Sequence, residues 1–413
     1  MSLRPRSGRD WGRLDMNYNT YPIADLIDEI AMGPFGSNIK VDCFVDKGIP
    51  VLNGSNLEGF ELSEKSFRYV TEEKADSLKK ANAYKGDVVI THRGTLGQIV
   101  YIPQTAQRDR YVISQSQFRV KCNKKVLPEY FVYYFHTPIG QHKLLSNASQ
   151  VGVPALARPS STFQKIEIEI PDLETQKKVV KLIGSLQTRI KTNAEINDNL
   201  LGQMQALYRS WFVDFLPFGG SKPRTWTETD IYSLANIIYG APFKSKQFNT
   251  DGVGTPIIRI RDLKDQQFAT YTTEIHPKGY LLQPGDIVVG MDGEFRPYIW
   301  GNDGAWLNQR VCVFENKRPN GKAFLYFTIK PLLYGIEQTQ VATTVIHIGK
   351  KDFDAFEITL PDASTLDDFD ALTTPMMRVI VSNCFENKRL AALRDILLPK
   401  LMSGEIDVSD IQL

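Results

Sequence analysis

The residues of this 413-residue chain that have chemistry to offer lie in small polar clusters, not in a catalytic constellation. Arginine can grip guanine, asparagine or glutamine can grip adenine, and aspartate or glutamate can grip cytosine, each through the donor and acceptor atoms of a base edge. Residues of these types near expected strand ends in the first half are Asn53, Ser55, Asn56, His92, Arg93, Gln115 and Gln117. The second half offers Arg259, Arg261, Asp262, Arg296, Asn308, Gln309 and Arg310. Lys40, Lys244 and Lys246 stand in early loops and suit phosphates, which position a nucleic acid without specifying its sequence. Each also has an ordinary reading as a surface or turn residue. Gln117 and Gln309 recur under one alignment of the two halves, which favours a structural role for that pair. Trp300 and Trp306 read as core.

A search for catalytic chemistry returns little. There is no D/N-P-P-Y/F string to hold a target adenine and no G-x-x-x-x-G-K-S/T loop to cradle ATP phosphates. Gly33-Pro-Phe-Gly36 and Gly94-Thr-Leu-Gly97 read as turns. Pro171-Asp172 with Lys177 and Lys178 has the carboxylate and lysines of a nuclease pattern. It recurs, however, at Pro361-Asp362 ahead of a second helix, so it reads as a helix start. His92 and Arg93 follow a strand and could exchange protons. The second half carries Met291 and Asp292 at that place, which excludes a shared mechanism. The four cysteines and five histidines are dispersed, so neither a disulfide framework nor a zinc site is expected. Lys and Arg total 49 against 47 acidic residues, so net charge excludes no partner, since only the local distribution of charge matters. No apolar run reaches the roughly 18 residues of a membrane span. The basic N-terminus lacks the apolar core of a signal peptide, and a cytoplasmic location is expected.

The elements that must position these residues show a duplication. A length of 413 residues implies two to three domains. From Val179 the apolar residues Ile183, Leu186, Ile190, Leu200, Met204, Leu207 and Trp211 follow a 3–4 spacing, the seam of a helix packed on another helix. Asn193 and Asn197 interrupt the seam. The pattern returns 190 residues later as Phe369, Thr373, Met376, Ile380, Asn383, Asn387, Leu390, Arg394, Leu397 and Leu401. Ahead of each helix runs a mixed α/β segment, with strands expected at Asp87–Thr91, 118–122 and 166–170, and an aromatic helix at 129–135. Gly86-Asp87-Val88-Val89 is answered by Gly285-Asp286-Ile287-Val288 at an offset of 199, and Ile49-Pro50-Val51-Leu52 by Thr255-Pro256-Ile257-Ile258 at 206. The offset falls through the globular segments and then holds at 190 without a gap, so loops change length whereas the helix does not. Pro375 is expected to make the second helix start late or bend.

The expected fold class is α/β (α+β), with two pseudo-symmetric globular domains separated by two long helices that pair as an antiparallel coiled coil. The expected layout is an arm at 1–20, a first domain at 21–172, a helix at 173–216, a second domain at 217–362 and a helix at 363–413. The seam rises roughly 48 Å, more than the 34 Å of one DNA turn, so two modules at its ends could reach separate major grooves. A plain helical hairpin joining two domains fits the geometry as well.

The chain resembles the specificity subunits of type I restriction–modification systems. The resemblance covers nearly the whole chain. It rests on the repeat of domain plus helix, on Pro171-Asp-Leu-Glu-Thr-Gln, on Leu207-Tyr-Arg-Ser-Trp-Phe-Val-Asp-Phe, and on Leu393-Arg-Asp-Ile-Leu-Leu-Pro-Lys-Leu-Met-Ser-Gly-Glu-Ile. The second copy has Ser364-Thr-Leu366 where the family has an E-Q pair. The resemblance implies that each globular segment is a target recognition domain reading half of a bipartite double-stranded DNA site. It also implies that the helices set the spacing and dock two methyltransferase subunits, with endonuclease/translocase subunits joining the complex. The chain itself would be non-catalytic and hold no cofactor or metal; S-adenosylmethionine, ATP and magnesium would belong to its partners. The alternative is a stand-alone or fused restriction enzyme fragment with its own catalytic site.

Overall fold

The structure is a computed structural model that describes residues 18–34, 38–146, 148–149, 153–339 and 347–408. Most of the expected N-terminal arm, Phe35 and Gly36 of the Gly33–Gly36 turn, and the last five residues lie outside that set. The chain forms two compact units, Met1–Gln187 with Ala392–Leu413, and Thr188–Ala391. Each long helix contributes a stretch to both units.

In the first unit, strands β2 (Ile27–Met32), β9 (Gln117–Cys122), β6 (Asp87–Thr91) and β7 (Ile99–Tyr101) form an antiparallel sheet in that order. A second sheet has the order β4 (Arg68–Val70), β3 (Ile49–Val51), β8 (Arg110–Val112), β5 (Asn82–Tyr84), with β3 and β8 parallel. β1 (Asn19–Pro22) pairs with β12 (Glu167–Ile170), so the end of the expected arm is a strand. β10 (Ala148–Ser149) pairs with β11 (Ala155–Leu156). The expected aromatic helix is α2 (Pro128–Phe135), and its buried face packs on the first sheet. The short helices α1 (Glu72–Ser77), α3 (Pro138–Leu145) and α4 (Pro159–Phe163) complete the unit.

The second unit repeats this plan. β14 (Ala235–Tyr239), β21 (Val311–Asn316), β18 (Ile287–Gly290) and β19 (Pro297–Ile299) form the antiparallel sheet. β15 (Phe248–Asn249), β17 (Tyr271–Thr272), β16 (Thr255–Ile258) and β20 (Trp306–Leu307) form the other, and β13 (Thr227–Asp230) pairs with β22 (Glu357–Leu360). Helices α6 (Lys322–Thr339) and α7 (Lys350–Asp354) flank them. Trp300 is fully buried, and Trp306 stacks on Phe243 with ring centroids 5.7 Å apart.

Helix α5 (Leu173–Phe212) and helix α8 (Ala363–Met402) are 40 residues each. Both start on the Pro-Asp pair, where Asp172 Oδ1 accepts from the Thr175 N–H (2.9 Å) and Asp362 Oδ1 from the Thr365 N–H (3.0 Å). These are N-cap bonds, which satisfy donors that a helix cannot satisfy internally. Val179 and Ile183 of α5 and Leu398 and Leu401 of α8 are buried in the first unit's core, with Leu186 and Leu397 half-buried. Met204 of α5 and Leu366, Phe369 and Ile380 of α8 are buried in the second unit's core. Leu200 and Leu207 pack against that core, and Ile190 and Leu390 are half-buried.

The second unit shows how the helices pair. Asn193 donates to the side chain of Asn387, and Asn383 donates to Asn197, both at 2.9 Å. Residue numbers rise on one helix as they fall on the other, so the pairing is antiparallel. Asn387 also donates to the Ile190 carbonyl (3.2 Å), and Arg189 forks onto Glu386 (2.9 and 3.0 Å).

One expectation is corrected: helix α8 does not start late at Pro375, but begins at Ala363 and continues through the proline without interruption. A proline inside a helix costs about 3 kcal/mol. Burial of Leu366 and Phe369 ahead of it contributes roughly 1.5–3 kcal/mol each, which outweighs that cost. Arg318 adds contacts to Asp367 (2.5 Å) and Asp370 (3.2 Å) of the same turns.

Gln176 straps the start of α5 to its unit. It is fully buried, accepts from the Leu127 N–H (2.9 Å), and donates to the carbonyls of Lys125 (2.9 Å) and Pro171 (3.0 Å). Gln176→Ala is expected to lower stability by about 3 kcal/mol, because it orphans buried backbone groups. Urea unfolding checks this, and a loss below about 1 kcal/mol would contradict it.

Candidate nucleic-acid interface

In the first unit the candidate residues gather where the turn ahead of β9 meets the loop after β6. The Gln117 N–H donates to the Ser114 carbonyl (3.1 Å), closing a four-residue turn with Gln115 and Ser116 at its tip. The His92 N–H donates to the Ser116 carbonyl (2.9 Å), and the His92 ring donates from Nε2 to the Gln115 carbonyl (3.1 Å). Gly33 lies against this turn. A Cβ there would sit 1.9 Å from the Ser114 carbonyl oxygen, so only glycine allows the approach. A groove of about 850 Å³ opens beside the turn, lined by Lys79, Lys80, His92, Arg93 and Gln115 among others. Burial lowers the His92 pKa below the usual histidine value, which leaves the ring uncharged at neutral pH.

The second unit builds the same frame. The Val311 N–H donates to the Asn308 carbonyl (3.2 Å), and the Met291 N–H to the Arg310 carbonyl (2.8 Å). Gly240 takes the place of Gly33, its Cβ position 1.9 Å from the Asn308 carbonyl oxygen. Arg310 has a φ of 70°, uncommon for a residue with a side chain. Its guanidinium lies 3.7 Å from Asp292, whose Oδ1 is also 2.6 Å from His347 Nδ1.

These hydrogen bonds sort the candidate residues. In the first unit His92, Arg93 and Gln115 come together at one groove, and in the second Gln309 and Arg310 share one turn tip. Lys40 and Lys244 each precede a matching short 3₁₀ turn and are exposed, as is Lys246. Asn53, Ser55 and Asn56 form a third turn, as do Arg259, Arg261 and Asp262. Asn53 accepts from the Ser55 N–H (2.9 Å), and Ser55 is exposed. Arg261 is exposed with its Nε 3.5 Å from Asp262.

Five candidates do not present a free edge. Asn56 is fully buried; it accepts from the Asn53 N–H (2.9 Å) and donates to the carbonyls of Ser63 (2.9 Å) and Lys65 (2.8 Å). Asp262 does the same work for the Arg259 N–H (3.1 Å) and is also buried. Gln117 is buried with Oε1 on the Ser114 N–H (2.9 Å), and Asn308 is buried under the second turn. Arg296 is turned onto α6, donating to Glu337 with its guanidinium 5.6 Å from the Tyr334 ring centroid. Arg259 is partly engaged as well, hydrogen-bonded to Thr270 and lying over Phe248.

The alignment of Gln117 with Gln309 is also corrected. Val311 stands in the place of Gln117, and the counterpart of Gln309 is Gln115. Sequence reading missed Lys79, Lys80 and His347. The two lysines sit more than ten residues before His92, and the chain's path alone brings them to the groove. His347 bridges Asp292 as Ala155 bridges Arg93, a match visible only once the strands are placed.

The sequence model of the type I restriction modification DNA specificity domain matches this chain twice, over residues 34–201 and 223–378. The chain belongs to that family. It is 37% identical over 138 residues to the type I restriction enzyme EcoBI specificity subunit of Escherichia coli, covering 33% of this chain and 29% of that protein. It is 22% identical over 428 residues to the MjaIX specificity subunit of Methanocaldococcus jannaschii, covering 97% of this chain and 96% of that protein. The crystal structure of the type I restriction–modification system S subunit from M. genitalium shares the fold, with a TM-score of 0.54 at 15% identity. That match covers 94% of this chain and 96% of the other. The two α/β units are thus specificity domains, and the chain is a DNA sequence-specificity subunit of the type I class. No helix among the described residues is long and apolar enough to cross a membrane.

Charge and neutrality at the groove separate two effects. Lys79→Ala is expected to weaken all duplexes alike and to reduce the slope of log affinity against log salt by about one. His92→Gln is expected to leave that slope unchanged at pH 7.5, because the half-buried ring carries no charge. Fluorescence anisotropy at four salt concentrations checks both; an equal slope change in the two variants would overturn the assignment.

Proposed function

We propose that each unit reads one half of a bipartite double-stranded DNA site and that the paired helices set the gap between the halves. One observation carries this reading: the two units hold the same buried frame of strands and turns while their outward side chains differ. Arg93 and Ser116 in the first unit correspond to Asp292 and Arg310 in the second, and Asn53 and Ser55 correspond to Arg259 and Arg261. A frame that stays constant under changing side chains suits two units that read different sequences.

In this reading the chain works without chemistry of its own, in the cytoplasm, bound to two methyltransferase subunits and to endonuclease/translocase subunits. Adenine methylation from S-adenosylmethionine, and cleavage using ATP and magnesium, take place on those partners. Selection from a random duplex pool by the chain assembled with a type I methyltransferase subunit tests the reading. The expected motif has two defined half-sites around an undefined gap, bound at least about 10³-fold tighter than random DNA. Enrichment of a single continuous site, or of none, would overturn it.

The asparagine pairing makes the spacing testable. Because Asn193 faces Asn387 and Asn197 faces Asn383, added length must enter both helices to preserve the seam. Seven residues inserted between Asn193 and Asn197, with seven more between Asn383 and Asn387, keep each seam on its face. They add about 10.5 Å, roughly three base pairs, to the helix pair. The gap is expected to grow with both half-sites unchanged. Altered half-sites with the old gap would refute the spacing role.

A further inference from the structure

We infer that Gln115 and Gln309 are equivalent base readers, each taking an adenine at the same place in its own half-site. This rests on the reading of both units as DNA-recognition units. The two turns that carry the glutamines are superposable by their hydrogen bonds. In each, a strand-opening N–H closes on a carbonyl three residues back, a second N–H arrives from the neighbouring loop, and a glycine lies against the same carbonyl. Gln115 and Gln309 occupy the same position in these turns, and both are exposed. Among the described residues neither side-chain amide has a hydrogen-bond partner, whereas the buried Gln117 amide is engaged with Ser114.

The neighbours of the two glutamines differ. Ser116 is replaced by Arg310, His92 by Met291, and Arg93 by Asp292. Each unit therefore has one arginine beside its glutamine, but the arginine comes from the loop after β6 in the first unit and from the turn itself in the second. Asp292 lies 3.7 Å from Arg310 and can hold that arginine in place. The repeated residue marks a contact that both half-sites need, and the exchanged ones mark where they diverge. A carboxamide pairs its N–H and its oxygen with N7 and the N6 amino group of adenine, and no other base edge in the major groove offers that pattern.

The test uses the full chain and a random duplex pool, with wild type, Gln115→Glu, Gln309→Glu and the two alanine variants. The wild-type motif is expected to contain an adenine at corresponding positions of both half-sites. Gln115→Glu should shift one position of one half-site toward cytosine, since a carboxylate accepts from the cytosine amino group. It should leave the other half-site intact, and Gln309→Glu should do the converse. The alanine variants should lose discrimination at the same positions, by about tenfold to a hundredfold. Unchanged melting temperatures are expected, because both side chains are exposed. A wild-type motif that none of the variants alters would overturn the inference and leave the specificity reading standing. So would a wild-type motif lacking the paired adenines. A wild-type chain that selects no motif would overturn both.

Discussion

The structure depends on four amides in the contact between its long helices. A seam of leucine and isoleucine alone would fit nearly as well after slipping one heptad, because apolar contacts are not directional. Asn193 with Asn387, and Asn197 with Asn383, remove that freedom. A slip of one heptad would break both amide pairs, at about 1–3 kcal/mol for each of the two buried amides, Asn193 and Asn383. Buried asparagine thus contributes register more than net stability. The bidentate Arg189–Glu386 pair is exposed and strengthens the same register from outside, and the guanidinium holds the Glu386 carboxyl below its usual pKa.

Much of the scaffold was legible from spacing. The constant offset of 190 identified both helices and their partnered asparagines, because a seam cannot accept an insertion without turning later residues off their face. The late start expected at Pro375 did not occur because intrinsic propensity is local, and the burial of Leu366 and Phe369 is not. The missing E-Q pair of the second copy has a similar cause. Gln176 is buried against three backbone groups of the first unit, and its counterpart Leu366 is buried in an apolar core. The same position anchors the helix by hydrogen bonds in one unit and by apolar contact in the other.

The site was less legible, for a reason visible in the turns. Polar residue types that can grip a base are the same types that close turns, and sequence alone does not say which way a side chain faces. Asn56 and Asp262 could have been recognised. The offset of 206 that matches Pro50 with Pro256 also matches these two, and each accepts the N–H three residues earlier. Gln117 was harder, because the offset changes from 199 at β6 to 194 at β9, and a two-residue error swaps a buried glutamine for an exposed one.

The placement of the glycines separates folding from recognition. Gly33 and Gly240 carry the turn because any side chain there would collide with backbone, so these positions cannot vary without moving the frame. At the tips of the turns these glycines pack against, Gln115, Gln309 and Arg310 are exposed and Ser116 is half-buried, so a substitution there costs little folding energy. Surface changes of that kind usually alter stability by less than about 0.5 kcal/mol, whereas one good base contact is worth about 1–3 kcal/mol. Discrimination can therefore change several-fold more than stability at the same residue. In the function proposed for the two units, that imbalance is what would let one fold, used twice in one chain, carry two different readings of DNA.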